Sequence, residues 1–112
     1  MKKFECILCI VNTGFSEAAM DAAKQFGAKG GTVIHGRGTV TKEAEKFFNI
    51  TIQPEKEIVM ILVTSDIKDA ILHGLYNAVG TNTAAQGIAF SLPVEDVVGI
   101  NQTKKKEKKE EK

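Results

Sequence analysis

Two short stretches of the sequence contain residues that could do chemistry. Cys6 and Cys9 form a C-x-x-C pair, the spacing of redox dithiols and of half a zinc site. The run GAKGGTVIHGRGT at 27–39 contains five glycines, with His35 and Arg37 near its end. So many glycines indicate either a tightly turning backbone or the close approach of another molecule.

The cysteine pair is better explained as part of a core than as a reactive site. The surrounding FECILCIV is typical of a strand, where residues three apart point to opposite faces, so the two sulfurs should diverge. His35 and His73 lie in no catalytic motif such as H-E-x-x-H or G-x-S-x-G, and each is more simply a structural or surface residue. No catalytic residue is predicted, and we do not expect an enzyme.

The glycines at the end of the run suggest an anion site. Gly36 and Gly38 lie where a predicted strand gives way to a long loop, and they would let a ligand reach bare backbone N–H groups, which suits phosphate. Arg37 could pair with an anion and Thr39 could supply a hydroxyl. The other interpretation is a bulge at the loop entrance, and the residues alone leave both open.

Composition limits the class of protein. A chain of 112 residues, 43% of them hydrophobic, has material for one domain, which we place at 1–100. Its net charge of +1 argues against a general electrostatic attraction to nucleic acid. The tail 101–112 has no apolar residue and is predicted to be disordered. No N-terminal segment resembles a signal peptide, so a cytoplasmic location is expected.

Hydrophobic periodicity predicts the elements that position these residues. Two segments are apolar on both faces and should be central strands. Two others follow a 3.6-residue repeat and should be helices. One strand contains Pro93 and should lie at an edge of the sheet. In chain order the predictions are strand 3–12, helix 15–26 with Gly27 as its cap, strand 31–39, strand 56–64, a helix capped by Ser65 or Asp66 and ended by Gly80, an edge strand from Ile88, and a possible short strand at 97–100.

This order, β-α-β-β-α-β, predicts an α+β, ferredoxin-like sandwich in which two helices cover one face of an antiparallel sheet. The first and third strands should be central. Because the helices cover one face only, we expect Ile7, Cys9 and Val11, with alternate residues of IVMILV, to stay uncovered. An apolar face of that size usually marks an interface, so an oligomer is predicted.

The order of elements, the 27–39 run, the long loop ending at Pro54 and the polar loop after the second helix together resemble the PII-type nitrogen-regulatory signalling proteins, over residues 3–95. The resemblance implies a homotrimer formed through the sheets. It also implies an adenine nucleotide, ATP, ADP or AMP, as effector in the clefts between subunits. A mobile loop, here 40–54, would report the bound state to a partner such as a membrane transporter, an enzyme or a transcription regulator.

The resemblance also implies which residues meet the nucleotide: Thr32, Gly36, Arg37, Gly38 and Thr39, with Ala85, Gln86, Gly87 and Ile88 from the phosphate-contacting loop. This loop departs from the family pattern, because Ala84, Ala85, Gln86 and Gly87 replace the usual Gly-Asp-Gly-Lys and the phosphate-binding lysine is missing. The arginine-bearing strand after 95 is missing too. A mono- or diphosphate, a cyclic nucleotide, or no nucleotide therefore becomes more plausible than a triphosphate.

The 40–54 loop contains no tyrosine to be modified. Lys42, Phe47 and Phe48 are the candidates for a partner-binding tip, although the two aromatic residues could equally pack back onto the trimer. Two alternatives to nucleotide signalling stay open. One is a CutA-like trimer tied to divalent metals, with Cys6, Cys9, His35 and His73 as scattered candidate ligands, and the other is a scaffold that binds no ligand.

Overall fold

The computed structural model of the protein describes residues 3–39, 43, 46–47 and 54–100. It confirms the predicted order of elements, with bounds within one or two residues of those expected. The elements are β1 (Phe4–Asn12), α1 (Ser16–Gln25), β2 (Thr32–Arg37), β3 (Glu55–Thr64), α2 (Ser65–Val79) and β4 (Ile88–Val94). Among the described residues, no helix has the length and apolar character needed to cross a membrane.

The four strands form one antiparallel sheet in the order β2-β3-β1-β4. The two strands that are apolar on both faces, β1 and β3, are central, as predicted, and β4 with Pro93 lies at an edge. The further strand considered at 97–100 does not form. Gly99 there has a φ of +102°, which interrupts an extended backbone, and Val98 is almost fully exposed.

Both helices pack on the same face of the sheet and bury the core beneath them. Ile7 and Val11 of β1 meet Ile61 of β3 and Ile71 of α2 there, and none of the four is accessible to solvent. The expectation that Ile7, Cys9 and Val11 would be uncovered is therefore wrong. Since β1 is apolar on both sides, its pattern cannot tell which side the helices cover; the handedness of the crossovers decides that.

The uncovered face is the other one, and it is apolar across all four strands. In the sheet register, Leu8 of β1 stands beside Met60 of β3 and Phe90 of β4 on this face. The alternating apolar residues of β4 also point here, away from the helices. We call this surface the open face; its apolar side chains are Phe4, Cys6, Leu8, Ile10, Ile34, Ile58, Met60, Leu62, Ile88, Phe90, Leu92 and Val94.

The helix ends follow the sequence signals in part. Gly27 has a φ of +112° just after α1, and its N–H donates to the Lys24 carbonyl, as its predicted capping role requires. Gly80 ends α2, also as predicted. The prediction that Ser65 or Asp66 caps α2 is wrong, because the cap position is Thr64, whose extended backbone leads directly from β3 into the helix without a side-chain capping bond.

Candidate ligand-binding site

The glycines that follow β2 form the base of the long loop. Gly36 stands opposite Lys56 in the β2–β3 register, and the Gly38 N–H donates to the Pro54 carbonyl at 2.7 Å, so pairing continues to the loop entrance. The Gly38 amide therefore already has a partner in this structure. A methyl group on Gly38 would come within 2.9 Å of Lys56 Cε. The lysine stem therefore lies directly across Gly38, and a side chain there would require the flexible end of Lys56 to shift.

Asn12, the last residue of β1, connects this loop base to the loop that follows α2. Lys56 Nζ donates to Asn12 Oδ1 at 2.7 Å. The Asn12 amide nitrogen donates to the Ala84 carbonyl at 3.1 Å and to Gln86 Oε1 at 3.2 Å. Asn12 is 8% exposed, so these bonds form in a largely buried setting where polar groups need partners. We call this group of four residues the Asn12 junction.

The loop after α2, residues 81–87, is held by its own hydrogen bonds. Thr83 Oγ1 donates to the Gly80 carbonyl at 2.8 Å and accepts from the Ala85 N–H at 3.2 Å. Gln86 takes a φ of +48°, and the Gly87 N–H donates to the Val79 carbonyl at 2.7 Å. The loop therefore has a defined shape before any ligand arrives, with the Gln86 side chain bonded to Asn12.

The structure brings some of the predicted ligand residues together and separates others. Gly36, Gly38 and Gln86 converge at the Asn12 junction, on one end of the open face. Thr32 lies four residues before Gly36, about 13 Å along β2. Ala85 is buried, with its carbonyl accepting from the Asn12 N–H.

The remaining predicted ligand residues lie around this cluster. Arg37 and Thr39 are exposed beside the loop base, Gly87 is buried under the 81–87 loop, and Ile88 at the start of β4 is 53% exposed. The sequence did not single out Asn12 or Lys56. The available signals were that Asn12 is a polar residue ending an otherwise apolar strand, and that Lys56 follows Pro54 by two residues.

A carboxylate occupies the helix side of the same sheet end. Glu57 accepts hydrogen bonds from the backbone N–H groups of Gly14, at 3.0 Å, and Ser16, at 3.3 Å, where α1 begins. The Gly14 bond is the main cause that lowers the pKa of the Glu57 carboxyl. His35 Nδ1 lies 3.9 Å from the other carboxylate oxygen. Glu57 thus fixes the start of α1 while its neighbour Lys56 points to the open face.

Among the residues that the structure describes, the pocket beside the 81–87 loop is smaller than a typical nucleotide site. The adjacent pocket, between α2 and the start of β4, measures about 230 Å³ and is lined by apolar groups including Leu75, Val79 and Ile88. Small-molecule sites usually measure roughly 300–1,000 Å³. A second surface would be needed to complete a nucleotide site there.

The residues considered for a metal site lie apart. Cys9 is in the core, Cys6 is on the open face, and the two sulfurs are on opposite sides of β1, as predicted. His35 lies on β2, near Glu57 of β3, and His73 is exposed on α2. Within the described part of the chain, no three His, Cys, Asp or Glu side chains gather in a way that could hold a metal ion.

The comparison with known families identifies the chain. The family described as nitrogen regulatory protein P-II matches residues 1–104. The chain belongs to the P-II family. Among curated proteins, none matches the sequence significantly.

Solved structures show that this P-II chain shares its fold with known PII proteins. Arabidopsis thaliana PII bound to citrate is 23% identical with a TM-score of 0.66, over 89% of this chain and 82% of that one. CPII, a PII-like protein from Thiomonas intermedia K12 bound to ADP, AMP and bicarbonate, is 17% identical with a TM-score of 0.63, over 88% and 97%. A Bacillus cereus protein related to NIF3 is 12% identical with a TM-score of 0.65, over 85% of this chain and 26% of that longer one.

Of the candidates for a partner-binding tip, Lys42 and Phe48 lie outside the described residues, as does the predicted tail 101–112. Phe47 has helical backbone and a side chain that is 82% exposed. The role of this P-II chain's loop in binding a partner stays a prediction.

Proposed function

We propose that this P-II family member is a regulatory protein whose three copies bind adenine nucleotides between them and signal to a partner protein through the 40–54 loop. The observation that carries the proposal is the Asn12 junction. It joins the base of the long loop to the 81–87 loop at one end of the open face, so a ligand held there touches the element that would signal.

The open face supports the assembly. Its apolar side chains include Ile88, Leu92 and Phe90, which are 53%, 48% and 40% exposed in one copy. An edge strand whose apolar side points away from its own core needs a second cover, because exposed apolar patches of this size mark interfaces.

The ligand class follows from the site and from a structural neighbour. The site offers two cationic side chains, the exposed Arg37 and the half-buried Lys56, which suit an anionic ligand. The Thiomonas CPII structure holds ADP and AMP. Because the 81–87 loop of this chain has no lysine, we propose a nucleotide with fewer phosphates than ATP as the preferred effector.

The signalling step requires that the nucleotide binds better to one conformation of the 40–54 loop than to others, since only differential affinity shifts a population. The nucleotide would act through the loop base, where Gly38 is paired with Pro54. A partner protein in the cytoplasm, such as a transporter, an enzyme or a regulator of nitrogen metabolism, would then recognise the selected loop conformation.

A calorimetric titration with ATP, ADP, AMP and cyclic AMP, with and without magnesium, tests this function when combined with the mass of the protein in solution. GTP serves as the control for adenine recognition. We expect saturable binding near one site per subunit of a trimer. Limited trypsin cleavage after Lys42 and Lys46 should slow or accelerate when the bound nucleotide is present. Absence of binding by every nucleotide, with unchanged cleavage of the loop, would exclude the proposed function.

A further inference from the structure

We propose that Lys56 is the cation that binds the phosphate of the ligand, in place of the lysine missing from the 81–87 loop. This inference rests on the proposed function and names the residue that decides which nucleotide the site prefers. It assigns the same lysine a second role, because moving its ammonium group breaks the contact that joins the two loops.

The position of Lys56 meets the needs of a ligand contact. In the sheet register it stands between Gly36 of β2 and Asn12 of β1, on the open face. Its stem crosses Gly38, where a methyl group would come within 2.9 Å of Cε. The side chain therefore crosses the loop base, and its Nζ reaches Asn12, which is bonded to the 81–87 loop.

The charge of Lys56 is available to a ligand. Its acceptor in the described part of the chain is Asn12 Oδ1, a neutral amide oxygen at 2.7 Å. The two carboxylates next to Lys56 in the chain, Glu55 and Glu57, alternate to the opposite face of β3, and Glu57 is bonded to the start of α1. A lysine hydrogen-bonded to a neutral amide gains by exchanging that partner for a phosphate oxygen, because hydrogen bonds between two charged groups are stronger.

Exchanging Asn12 for a phosphate as the partner of Lys56 would change contacts of both loops. When Nζ turns from Asn12 to a phosphate, Asn12 Oδ1 loses its donor while its amide nitrogen still holds Ala84 and Gln86. At the same time the lysine stem moves over Gly38, whose N–H closes the base of the 40–54 loop. Occupation of the site thus changes contacts at the loop base and at the 81–87 loop together.

Titration of the full-length wild type, Lys56→Met and Lys56→Arg with adenosine, AMP, ADP and ATP tests the assignment. Met keeps the stem against Gly38 and removes the charge. We expect Lys56→Met to weaken binding of AMP and ADP by about tenfold or more, with adenosine affinity unchanged, and Lys56→Arg to retain most of the affinity. Lys24→Met, which removes the same charge from the exposed surface of α1, should bind all four ligands as the wild type does.

Asn12→Asp provides a second measurement that keeps the lysine. A carboxylate at this position would hold Nζ and compete with phosphate, but it also removes the amide bonds to Ala84 and Gln86. Adenosine affinity reports the loss of those two bonds, and ADP affinity should fall further than adenosine affinity does. If the wild type binds nucleotides and Lys56→Met binds them equally well, the assignment of Lys56 is wrong while the proposed function stands. If the wild type binds no nucleotide, both are wrong.

Discussion

At the scale of single residues, Gly87 illustrates how one backbone position holds the 81–87 loop. Its N–H donates to the Val79 carbonyl, and a side chain here would collide with that same oxygen and approach Val11 Cγ1 to 2.9 Å. We expect Gly87→Ala to lower the free energy of unfolding by about 1–3 kcal/mol in urea titrations. Gly30→Ala is the control, since a methyl group there meets nothing within 4 Å and should change stability by less than about 0.5 kcal/mol.

Glu57, also a single residue, makes a pH-dependent contribution to the stability of the fold. Its pKa is lowered in the folded protein, chiefly by the Gly14 N–H, so its stabilisation is present above the unfolded-state pKa and is lost as pH falls through the folded-state value. Glu57→Gln should therefore lower the free energy of unfolding, measured in urea titrations, by on the order of 1 kcal/mol at neutral pH. The difference from the wild type should vanish in acid. Glu55→Gln, on the exposed neighbour, should show neither effect. A difference for Glu57→Gln that is independent of pH would contradict this account.

At the scale of elements, α2 is held by the buried residues on its inner side. Ile71 is inaccessible to solvent and packs in the core between the helices and β1. Ile71→Ala should lower the free energy of unfolding by about 2–5 kcal/mol, through lost burial and the cavity left behind. His73→Ala, two residues along on the exposed side, should have little effect. Equal losses from the two substitutions in urea unfolding would mean that α2 does not pack as described.

The elements show what periodicity can and cannot predict. Runs apolar on both faces placed β1 and β3 at the centre of the sheet, because only buried strands tolerate apolar residues on both sides. The same feature made the covered face of β1 impossible to choose. The Asn12 junction could not be predicted from the sequence either. It depends on contacts of Asn12 with Lys56 and Gln86, which are 44 and 74 residues away in the chain. The glycine run could be recognised as a special backbone segment, because glycine destabilises a folded chain unless a turn or a close approach requires it.

At the scale of the whole molecule, the open face makes the state of assembly the first property to measure. Leu62, on the central strand β3, is 37% exposed on this face in one copy. Leu62→Glu should convert the proposed trimer to a monomer in sedimentation equilibrium, because a charge buried in an apolar interface has no partner. Val98→Glu introduces the same charge at a residue that is 98% exposed beyond β4, and should leave the mass unchanged. A Leu62→Glu protein with the mass of the wild type would show that copies do not meet through this face.

The opposite placement of Cys6 and Cys9 gives β1 two chemical reporters with different meanings. Burial raises the pKa of the Cys9 thiol to about 11, so it should be alkylated only when the core itself opens. Cys6 is on the open face and should react whenever that face is bare. Diluting the protein in an alkylating reagent should therefore label Cys6 at a rate that rises as copies separate, while Cys9 labelling stays slow and independent of concentration. Mass spectrometry of the two sites would separate dissociation from unfolding in a single sample.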